Sequence, residues 1–425
     1  MRSAHIDSYY AASANPAPAH PALSGTLDVD VCVVGGGIAG CSTALHLAER
    51  GYRVALVESK RIAWGASGRS GGQAIAGYAC GQQKLINALG IDDARKLWDI
   101  SVESMALLRD RVARHSIDCD LQWGQMNVAI KPRQREALQA EQHDLEEKFG
   151  YRQLRFLEGP EVQALLATQR YCAGLFDSGS AHLHPLNYTL GLAAAAQAAG
   201  VQIFEGTTVT QLQHGEPVTV KCSTGSIRAR FVALCCNAYI DGLAPQLDAR
   251  IMPVGTYIVA TEPLGEARMT ALMRENIAVT DINFVLDYFR RSADHRLLFG
   301  GRVSYSGLDA FDTKSATRKR MLKVFPQLSD VQIEYAWGGY VDITMSRAPD
   351  FGRIAPNVYY LQGFSGHGIA LTGIAGKLVA DAIAGQAERF DLFTKIQHRK
   401  FPGGTLLRTP ALVLAMLWYR MRDLL

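Results

Sequence analysis

The stretch Asp28–Glu58, DVDVCVVGGGIAGCSTALHLAERGYRVALVE, predicts a strand, a glycine turn, a helix and a second strand. The valine-rich first strand stops at the glycines Gly35–Gly37. With Gly40 they fit G-x-G-x-x-G, in which the glycines allow a tight turn, backbone approach to a pyrophosphate and close packing of helix on strand. The pyrophosphate would bind at the N-terminus of the helix that begins near Ile38. The stretch therefore predicts a dinucleotide-binding βαβ unit.

The residues that follow this unit indicate which dinucleotide is bound. Glu58 lies about twenty residues after the glycines, where an acidic side chain accepts hydrogen bonds from ribose hydroxyls and disfavours a 2′-phosphate. Trp64–Gln73, WGASGRSGGQ, contains four glycines, so its backbone amides can approach a flat polar ring. A flexible surface loop is the alternative. The position of the loop directly after the ribose acid favours FAD over NAD.

A second glycine turn occurs near the end of the chain, in Val358–Ile383, VYYLQGFSGHGIALTGIAGKLVADAI. The pattern predicts a strand that leads through Gly363, Gly366 and Gly368 into a helix. The positive end of that helix would stabilise negative charge on a reduced ring system. A purely structural turn between strand and helix is the alternative.

Composition predicts an ordinary globular protein, because 48% of the 425 residues are hydrophobic and 20% are charged. The net charge of +4, without basic runs, argues against a nucleic-acid partner. The eight cysteines show no metal-type spacing, which predicts reduced core thiols, no metal and a cytoplasmic location. Cys235 and Cys236 are either a vicinal disulfide or two strand residues that point in opposite directions. His182 and His184 are either bases or ligands, or else structural hydrogen-bonding groups.

The two chain ends carry separate predictions. Residues 1–27 have no apolar h-region typical of a secretory signal, and their prolines, Pro16, Pro18 and Pro21, predict an extended arm. Leu406–Tyr419 is apolar but too short to span a membrane. Residues 401–425 are therefore predicted to be an amphipathic tail that docks either on the protein or at a membrane interface.

The whole pattern predicts an α/β protein with two domains. A Rossmann-type, GR2-like (glutathione-reductase-type) FAD-binding domain is assembled from the discontinuous segments 28–83, 160–240 and 345–400. A substrate domain, an α+β unit with a mixed β-sheet, takes residues 84–159 and 241–344, where short strands alternate with turns.

Six motifs together resemble the D-amino-acid-oxidase-like superfamily of FAD oxidoreductases, which includes glycine oxidase and sarcosine oxidase. They are SYYAA at 8–12, WGASGRSGGQ at 64–73, NAY at 237–239, LLFGGR at 297–302, WGGYVDIT at 337–344 and GFSGHGIALT at 363–372. The combination is most similar to the γ-glutamylputrescine oxidase branch, and the likeness covers nearly the whole chain.

The resemblance implies which residues contact the FAD. The pyrophosphate and ribose contacts are Gly35, Gly37, Ile38, Ala39, Glu58 and Ser59, and the backbone of Val209 contacts the adenine. The isoalloxazine contacts are Ser67, Arg69, Ser70, Gly71, Gly72, Gln73 and Asn237, and at the pyrimidine end Gly366, His367, Gly368, Ile369, Ala370 and Thr372.

Departures from the family pattern bear on the substrate. Sarcosine oxidases commonly place a carboxylate-binding lysine where Ala370 stands, and glycine oxidases carry an arginine in the stretch matched by Tyr340–Asp342. No cysteine near Val341–Thr344 matches the flavin tether of sarcosine oxidases, so the FAD is expected to be noncovalent. In the absence of the lysine and the arginine that these relatives carry, Asp342 would hold the ammonium of an amine substrate and take its proton. An aspartate that accepts backbone N–H groups at a turn is the alternative.

The resemblance therefore implies an enzyme that deaminates an amine oxidatively to an aldehyde. The expected substrate is γ-glutamylputrescine or a related polyamine derivative, the expected acceptor is oxygen, and the product is hydrogen peroxide. Asp342, Tyr288 and His367 are the predicted catalytic residues. The alternative is an amino-acid dehydrogenase that passes electrons to a quinone at a membrane surface.

Overall fold

The computed structural model describes residues 5–304 and 313–402, so the predicted tail from residue 403 onward lies outside the described residues. The strands are β1 Gly25–Val34, β2 Val54–Val57, β3 Gln73–Ala74, β4 Gln122–Ala129, β5 Leu154–Glu158, β6 Ala173–His182, β7 Gln202–Phe204, β8 Val209–Gln213, β9 Val218–Cys222, β10 Gly225–Leu234, β11 Ile251–Thr261, β12 Ala278–Asp281, β13 Tyr288–Arg291, β14 Leu297–Ser304, β15 Ile333–Thr344, β16 Asp350–Ala355 and β17 Val358–Gln362.

The helices connect these strands and cover the sheets. They are α1 Tyr9–Ala12, α2 Ile38–Ala48, α3 Gln82–Leu89, α4 Ile91–Arg114, α5 Pro132–Phe149, α6 Gly159–Leu165, α7 Pro185–Ala198, α8 Pro245–Asp248, α9 Glu266–Leu272, α10 Thr313–Val324, α11 Gly368–Ile383 and α12 Glu388–Thr394. Short 3-10 helices occupy Ala66–Gly68, Asn237–Tyr239 and Pro326–Leu328.

The first sheet contains the predicted βαβ unit. Its order is β16-β17-β10-β1-β2-β7, and all pairs from β17 to β7 are parallel. β8 and β9 extend it from β10 as antiparallel strands. Val31 and Val33 pack on one face of β1 and Cys32 and Val34 on the other, because helices and loops cover both faces of a parallel sheet. The predicted Rossmann-type architecture is confirmed.

The second sheet is mixed, as predicted. Its order is β15-β11-β14-β13-β12-β4-β6-β3, with β5 on β6, and only the β12–β4 pair is parallel. One face forms an aromatic core in which Phe289 stacks on Phe299 with ring centroids 5.8 Å apart, and Phe325 meets Phe289 edge-on at 5.1 Å. This core is separate from the core around α2.

The predicted boundaries between the two domains need correction at three places. β3 and β6 fall within segments that we assigned to the FAD-binding domain, yet they pair in the second sheet. α4 falls within a segment assigned to the substrate domain, yet it packs with α2 and α11, and Arg111 pairs with Glu49. Local patterns identify these elements, but only the pairing register and the buried faces decide which sheet each one joins.

The N-terminal arm is not extended throughout, because residues 9–12 form the single turn α1. Tyr9 and Tyr10 in this turn are buried, and Tyr10 packs edge-on against Trp337 of β15 with ring centroids 5.2 Å apart. Ser8 caps the turn by accepting a hydrogen bond from the Ala11 amide. The arm therefore packs into the core around α2, to which β15 contributes Trp337.

Within the described residues, no single helix is long and apolar enough to cross a membrane, although the bent pair α11 and α12 meets the length and composition requirements together.

Candidate active site

A cavity of about 850 Å³ lies where residues of both sheets meet. All predicted cofactor contacts line it except Arg69 and Ala370, and so do the predicted catalytic residues Asp342, Tyr288 and His367. The first sheet contributes Gly35–Ala39, Glu58 and Val209, and the second sheet contributes Val254, Thr256, Thr280, Tyr288 and Val341–Ile343. The structure therefore brings together residues as far apart in the sequence as Gly35 and Thr372.

The first glycine turn has no room for side chains. Gly35 has a φ of +106°, and a Cβ atom there would lie 2.6 Å from the Cys235 carbonyl oxygen. A Cβ at Gly40 would lie 1.8 Å from the Gly35 oxygen, and one at Gly37 would lie 2.8 Å from Ser67 Oγ. The turn and the start of α2 thus form a backbone cradle that borders the cavity, as expected for a pyrophosphate site.

Glu58 follows β2 and braces this cradle. Its carboxylate accepts hydrogen bonds from the Gly36 amide at 2.7 Å and the Lys60 amide at 2.8 Å. Burial raises the pKa of Glu58, and these amide hydrogen bonds oppose that rise. The Ser59 hydroxyl also donates to this carboxylate at 3.2 Å, and a carboxylate has about four lone-pair sites, so about one remains for a ribose hydroxyl. The ribose contact stays a prediction.

The glycine loop 64–73 connects the two sheets. Ser67 Oγ accepts from the Ile38 amide at 3.0 Å, at the start of α2. At the other end, Gln73 accepts from Thr280 Oγ1 at 2.7 Å and donates to the Val279 carbonyl at 3.2 Å. The loop is therefore an ordered wall of the cavity, and the alternative of a flexible surface loop is wrong.

Arg69 is not among the residues that line the cavity, although we predicted that it would contact the isoalloxazine there. Its guanidinium stacks on the Trp64 ring at 3.9 Å, and Nε donates to the Trp64 carbonyl at 2.6 Å. The Arg69 carbonyl in turn accepts from the indole nitrogen of Trp337 at 3.0 Å. Arg69 therefore holds the shape of the loop.

The second glycine turn directs α11 towards the cavity. Gly363, Ser365 and Gly366 all have positive φ values, of +78°, +53° and +98°. His367 is the N-cap residue of α11 and offers no side-chain cap, so the first amides of the helix border the cavity. Ala370, at 2% exposure, points into the core instead, because each helical residue is rotated by about 100° from the last.

Asp342 is buried at 1% exposure, and its carboxylate is already occupied. It accepts from the Gly363 amide, and the Asn237 side chain donates to both oxygens at 2.6 and 2.8 Å in the amide orientation that satisfies both groups. Burial raises the pKa of Asp342 to about 7, against the effect of the backbone hydrogen bonds. The structure thus places Asp342 as an acceptor of a backbone N–H at a turn, which was the alternative interpretation.

Tyr288, in β13 of the second sheet, and His367, just before α11, both line the cavity. The Tyr288 ring packs against Gly71 and Gly300, where a Cβ atom would lie 2.6 and 2.1 Å from ring carbons. Its hydroxyl has no hydrogen-bond partner among the described residues. Burial, followed by the charge of Arg347, lowers the pKa of His367 to about 4, so the imidazole is neutral at pH 7.

Sequence reasoning missed Arg290, the buried residue that shapes the glycine loop. Its guanidinium donates to the carbonyls of Gly71 at 2.9 Å and Leu183 at 2.9 Å and to Tyr10 Oη at 3.0 Å. No spacing or motif distinguishes this arginine, because these partners come from three separate segments.

His182 and His184, next to the start of α7, make structural hydrogen bonds, which was the second of the two interpretations of these histidines. His184 Nδ1 accepts from the Asn187 amide at 3.1 Å as the N-cap of α7, and His182 Nε2 contacts the Asn276 carbonyl at 3.2 Å. Within the described residues no group of His, Cys, Asp and Glu could hold a metal ion. Cys235 and Cys236 are free thiols on opposite sides of the first sheet.

Comparison with known proteins identifies the family. A family model described as FAD dependent oxidoreductase matches residues 30–382. The chain belongs to the DAO family of FAD-dependent oxidoreductases. This confirms the predicted resemblance and the predicted cofactor.

Relatives of this oxidoreductase match it from end to end. It is 42% identical over 420 residues to the γ-glutamylputrescine oxidoreductase of Escherichia coli, covering 99% of this chain and 98% of the relative. It is 40% identical over 424 residues to a probable oxidoreductase, OrdL, of Haemophilus influenzae, covering 99% and 97%. Glycine oxidase from Geobacillus kaustophilus shares the fold, with a TM-score of 0.74, 21% identity and coverage of 88% and 100%.

The cavity of the oxidoreductase fits FAD by its own geometry. The cradle at Gly35–Ala39 has backbone amides for a pyrophosphate and no space for side chains. Glu58 has acceptor capacity left for a ribose hydroxyl, and both the loop 70–73 and the start of α11 line the cavity. These two elements would hold the isoalloxazine.

Proposed function

We propose that this oxidoreductase oxidises the primary amine of γ-glutamylputrescine, or of a related polyamine derivative, to an aldehyde. The observation that carries the proposal is the 42% identity over 420 residues with an enzyme named for γ-glutamylputrescine. The cavity supports it, since the residues that line it combine an FAD cradle with a second wall made by another sheet.

The proposed reaction breaks the C–H bond next to the amine nitrogen. Bound FAD would supply the redox chemistry, by taking up the two electrons and the hydrogen as a hydride equivalent. The amine nitrogen loses a proton, and the imine that results adds water and releases ammonia to give the aldehyde. Dioxygen is the proposed final acceptor, and two electrons and two protons convert it to hydrogen peroxide.

The second-sheet wall favours the neutral form of the amine. Val254, Leu286, Tyr288, Val341 and Ile343 line this side of the cavity, and their side chains offer a mainly apolar surface. Removing an ammonium from water lowers its pKa, so binding here would promote loss of the proton before the C–H bond breaks. The same side chains would keep water from the imine until it is released.

The predicted catalytic residues receive different proposed roles. Tyr288 and neutral His367 line the cavity and would contact the substrate or the flavin. We now propose that Asp342 acts as a positioning residue, because its carboxylate holds the Gly363 amide and the Asn237 side chain. It would fix the turn that presents α11 to the cavity.

The test uses the purified, FAD-loaded enzyme under anaerobic conditions. We expect γ-glutamylputrescine to bleach the flavin absorbance faster than putrescine, glycine or sarcosine. In air, each substrate consumed should yield one hydrogen peroxide. Rapid reduction by small amino acids instead of amines would contradict the proposed substrate. A low peroxide yield, with turnover restored by a quinone, would favour the alternative of a quinone-linked dehydrogenase and contradict oxygen as acceptor.

The cytoplasmic location and the membrane contact of the tail stay predictions. Cell fractionation of the full-length chain, with activity measured in the soluble and membrane fractions, tests both.

A further inference from the structure

Arg347 is a cation in the cavity wall that neither the motifs nor the catalytic predictions included. It lies in the connection between β15 and β16, and its guanidinium packs over the Phe284 ring at 4.7 Å. Phe284 and Arg347 both line the cavity. Arg347 therefore stands on the side of the cavity formed by the second sheet.

The turn around Arg347 holds it in an unusual backbone conformation. Its φ is +63°, in the left-handed region that side chains other than glycine rarely adopt. The Arg347 amide donates to the Thr344 carbonyl at 3.1 Å, and Thr344 Oγ1 donates to the Ala348 carbonyl at 2.8 Å. A strained residue that its surroundings keep in place at a cavity indicates a functional constraint.

Among the residues that the structure describes, the guanidinium has no anionic partner. No carboxylate of residues 5–304 or 313–402 forms an ion pair with Arg347, although most other arginines at comparable depth have one, such as Arg320 with Asp287 at 2.6 Å. Asp342 already accepts from the Gly363 amide and the Asn237 side chain, and Glu58 already accepts from the Gly36 and Lys60 amides. Arg347 is thus available to an anion that enters the cavity.

The charges of the cavity wall are unevenly placed. The charged residues that line it are Glu58, Lys60, Asp241, Asp342 and Arg347. The first three lie in connections that follow strands of the first sheet. On the second-sheet side, Arg347 is therefore the unpaired charge that a substrate would meet among the described residues.

We propose that Arg347 is a specificity-determining residue that binds the carboxylate at the far end of the substrate and thereby selects γ-glutamylated amines over free diamines. The inference rests on the proposed function and names the group of the substrate that the cavity recognises. A guanidinium binds a carboxylate through two parallel hydrogen bonds. The same charge repels the second ammonium of a diamine, whereas in a γ-glutamyl amide that nitrogen is a neutral amide and the far end carries a carboxylate beside its α-ammonium.

The experiment compares two oxidisable probes that differ at the far end only. The first is γ-glutamylputrescine, and the second is N-(4-aminobutyl)-4-aminobutanamide, which keeps both amines and the amide and lacks only the carboxylate of the γ-glutamyl group. Arg347→Gln removes the charge, and Arg347→Lys keeps the charge without the planar fork. Arg228→Gln is the control, because Arg228 is an exposed arginine whose ion pair with Asp28 lies outside the cavity.

We expect Arg347→Gln to raise the KM for γ-glutamylputrescine by about tenfold to a hundredfold, the range for a lost charge-assisted hydrogen bond, with kcat nearly unchanged. The KM for the butanamide probe should change by less than about twofold, and Arg347→Lys should recover part of the difference. Equal KM increases for both probes would indicate a structural role for the turn and overturn the proposal. So would an unchanged KM for γ-glutamylputrescine, or loss of FAD from Arg347→Gln.

A binding measurement separates this inference from the proposed function. N-butyl-γ-glutamine carries the carboxylate but lacks the terminal amine of the butyl chain, and its binding is followed by the change in flavin absorbance. If the parent enzyme fails to oxidise γ-glutamylputrescine, the proposed function fails, yet weaker binding of this probe to Arg347→Gln would still support an anion site. Equal binding to parent and variant would overturn the inference.

Discussion

Glu58 and Asp342 are carboxylates that perform the same task at two glycine turns. Glu58 Oε2 accepts from the Gly36 amide before α2, and Asp342 Oδ2 accepts from the Gly363 amide before α11. Each carboxylate thus stabilises a turn whose glycines leave room for the cofactor, and in both cases burial raises the pKa while amide donors oppose the rise. The two helix N-termini that face the cavity are therefore fixed by individual acidic side chains.

We expect Glu58→Gln to weaken FAD binding without unfolding the protein. The amide has one oxygen, so it cannot accept both backbone amides and also receive ribose hydroxyls. Loss of one charge-assisted hydrogen bond is worth about 1.5–3 kcal/mol, or roughly a tenfold to hundredfold increase in the Kd of FAD. Fluorescence titration of the apoprotein with FAD measures this Kd. Glu136→Gln, at an exposed position of α5, is the control, and an unchanged Kd for Glu58→Gln would contradict the ribose assignment.

Helices α2 and α11 carry the two N-termini, and they touch through small residues. A Cβ at Gly376 would lie 2.6 Å from the Thr43 amide nitrogen and 3.0 Å from the Ala39 carbonyl oxygen. Ser42 Oγ donates to the Gly373 carbonyl at 2.7 Å, which fixes the register of the two helices. This close approach sets how far apart the pyrophosphate cradle and the second glycine turn lie.

Two glycines of α11 should respond to alanine in opposite directions. Gly376→Ala introduces a methyl group against backbone atoms of α2, so we expect a loss of stability of about 1–3 kcal/mol and weaker FAD retention. At Gly373 the nearest atom to an added Cβ is Tyr188 Oη at 3.9 Å, so Gly373→Ala should be neutral or stabilise the helix by up to about 1 kcal/mol. Urea unfolding measures the free energy of unfolding of both variants. An equal change in the two would mean that α2 and α11 do not pack as closely at Gly376 as these distances indicate.

Because His184 is the N-cap residue of α7, we expect the free energy of unfolding to depend on pH. His184 Nδ1 must be unprotonated to accept from Asn187, and burial lowers the pKa of His184 to about 3. In the unfolded chain this histidine takes up a proton near pH 6.5. The stability that the neutral His184 contributes is therefore present above pH 6.5 and is lost as the pH falls below that value. At pH 5 the loss is at most about 2 kcal/mol.

His184→Asn should keep the cap and remove this titration. We therefore expect the Tm of the variant to fall less than that of the parent between pH 7.5 and pH 5. The control is His143→Asn, at an exposed position of α5. Parallel declines for the parent and His184→Asn would show that His184 does not titrate in this way.

At the scale of the whole molecule, the cavity is lined by segments of both sheets, and a bound cofactor would contact both. The described cysteines that line it are Cys235 and Cys236. Burial raises the pKa of the Cys235 thiol to about 12 and also raises that of Cys236, so neither forms the thiolate that a covalent flavin bond requires.

We therefore predict that acid precipitation releases all the flavin from the protein. Because noncovalent FAD binds the folded state, added FAD should also raise the Tm, with a stabilisation of about 2.7 kcal/mol at a hundred times its Kd. Flavin that stays in the washed pellet would contradict noncovalent binding, and a Tm that is independent of FAD concentration would contradict a site built from both sheets.

The sequence by itself determined the parts of this protein that local stereochemistry controls. The βαβ unit, the glycine turns at Gly35 and Gly363, the start of α7 at Pro185 and the mixed character of the second sheet all follow from residues that are close in the chain. Backbone freedom of glycine and the periodicity of apolar residues act over a few positions, so a reader of the sequence can recognise them.

Only the tertiary structure decided the contacts that complete the cavity. It placed β3 and β6 in the second sheet, turned Ala370 into the core, paired Asp342 with Gly363, and brought Arg290 and Arg347 to the site. These contacts join residues far apart in the chain, such as Tyr9 and Asp294, whose side chains hydrogen-bond at 2.8 Å. Their physical basis is the shared packing of two sheets, which fixes the direction of each side chain only after the whole chain has folded.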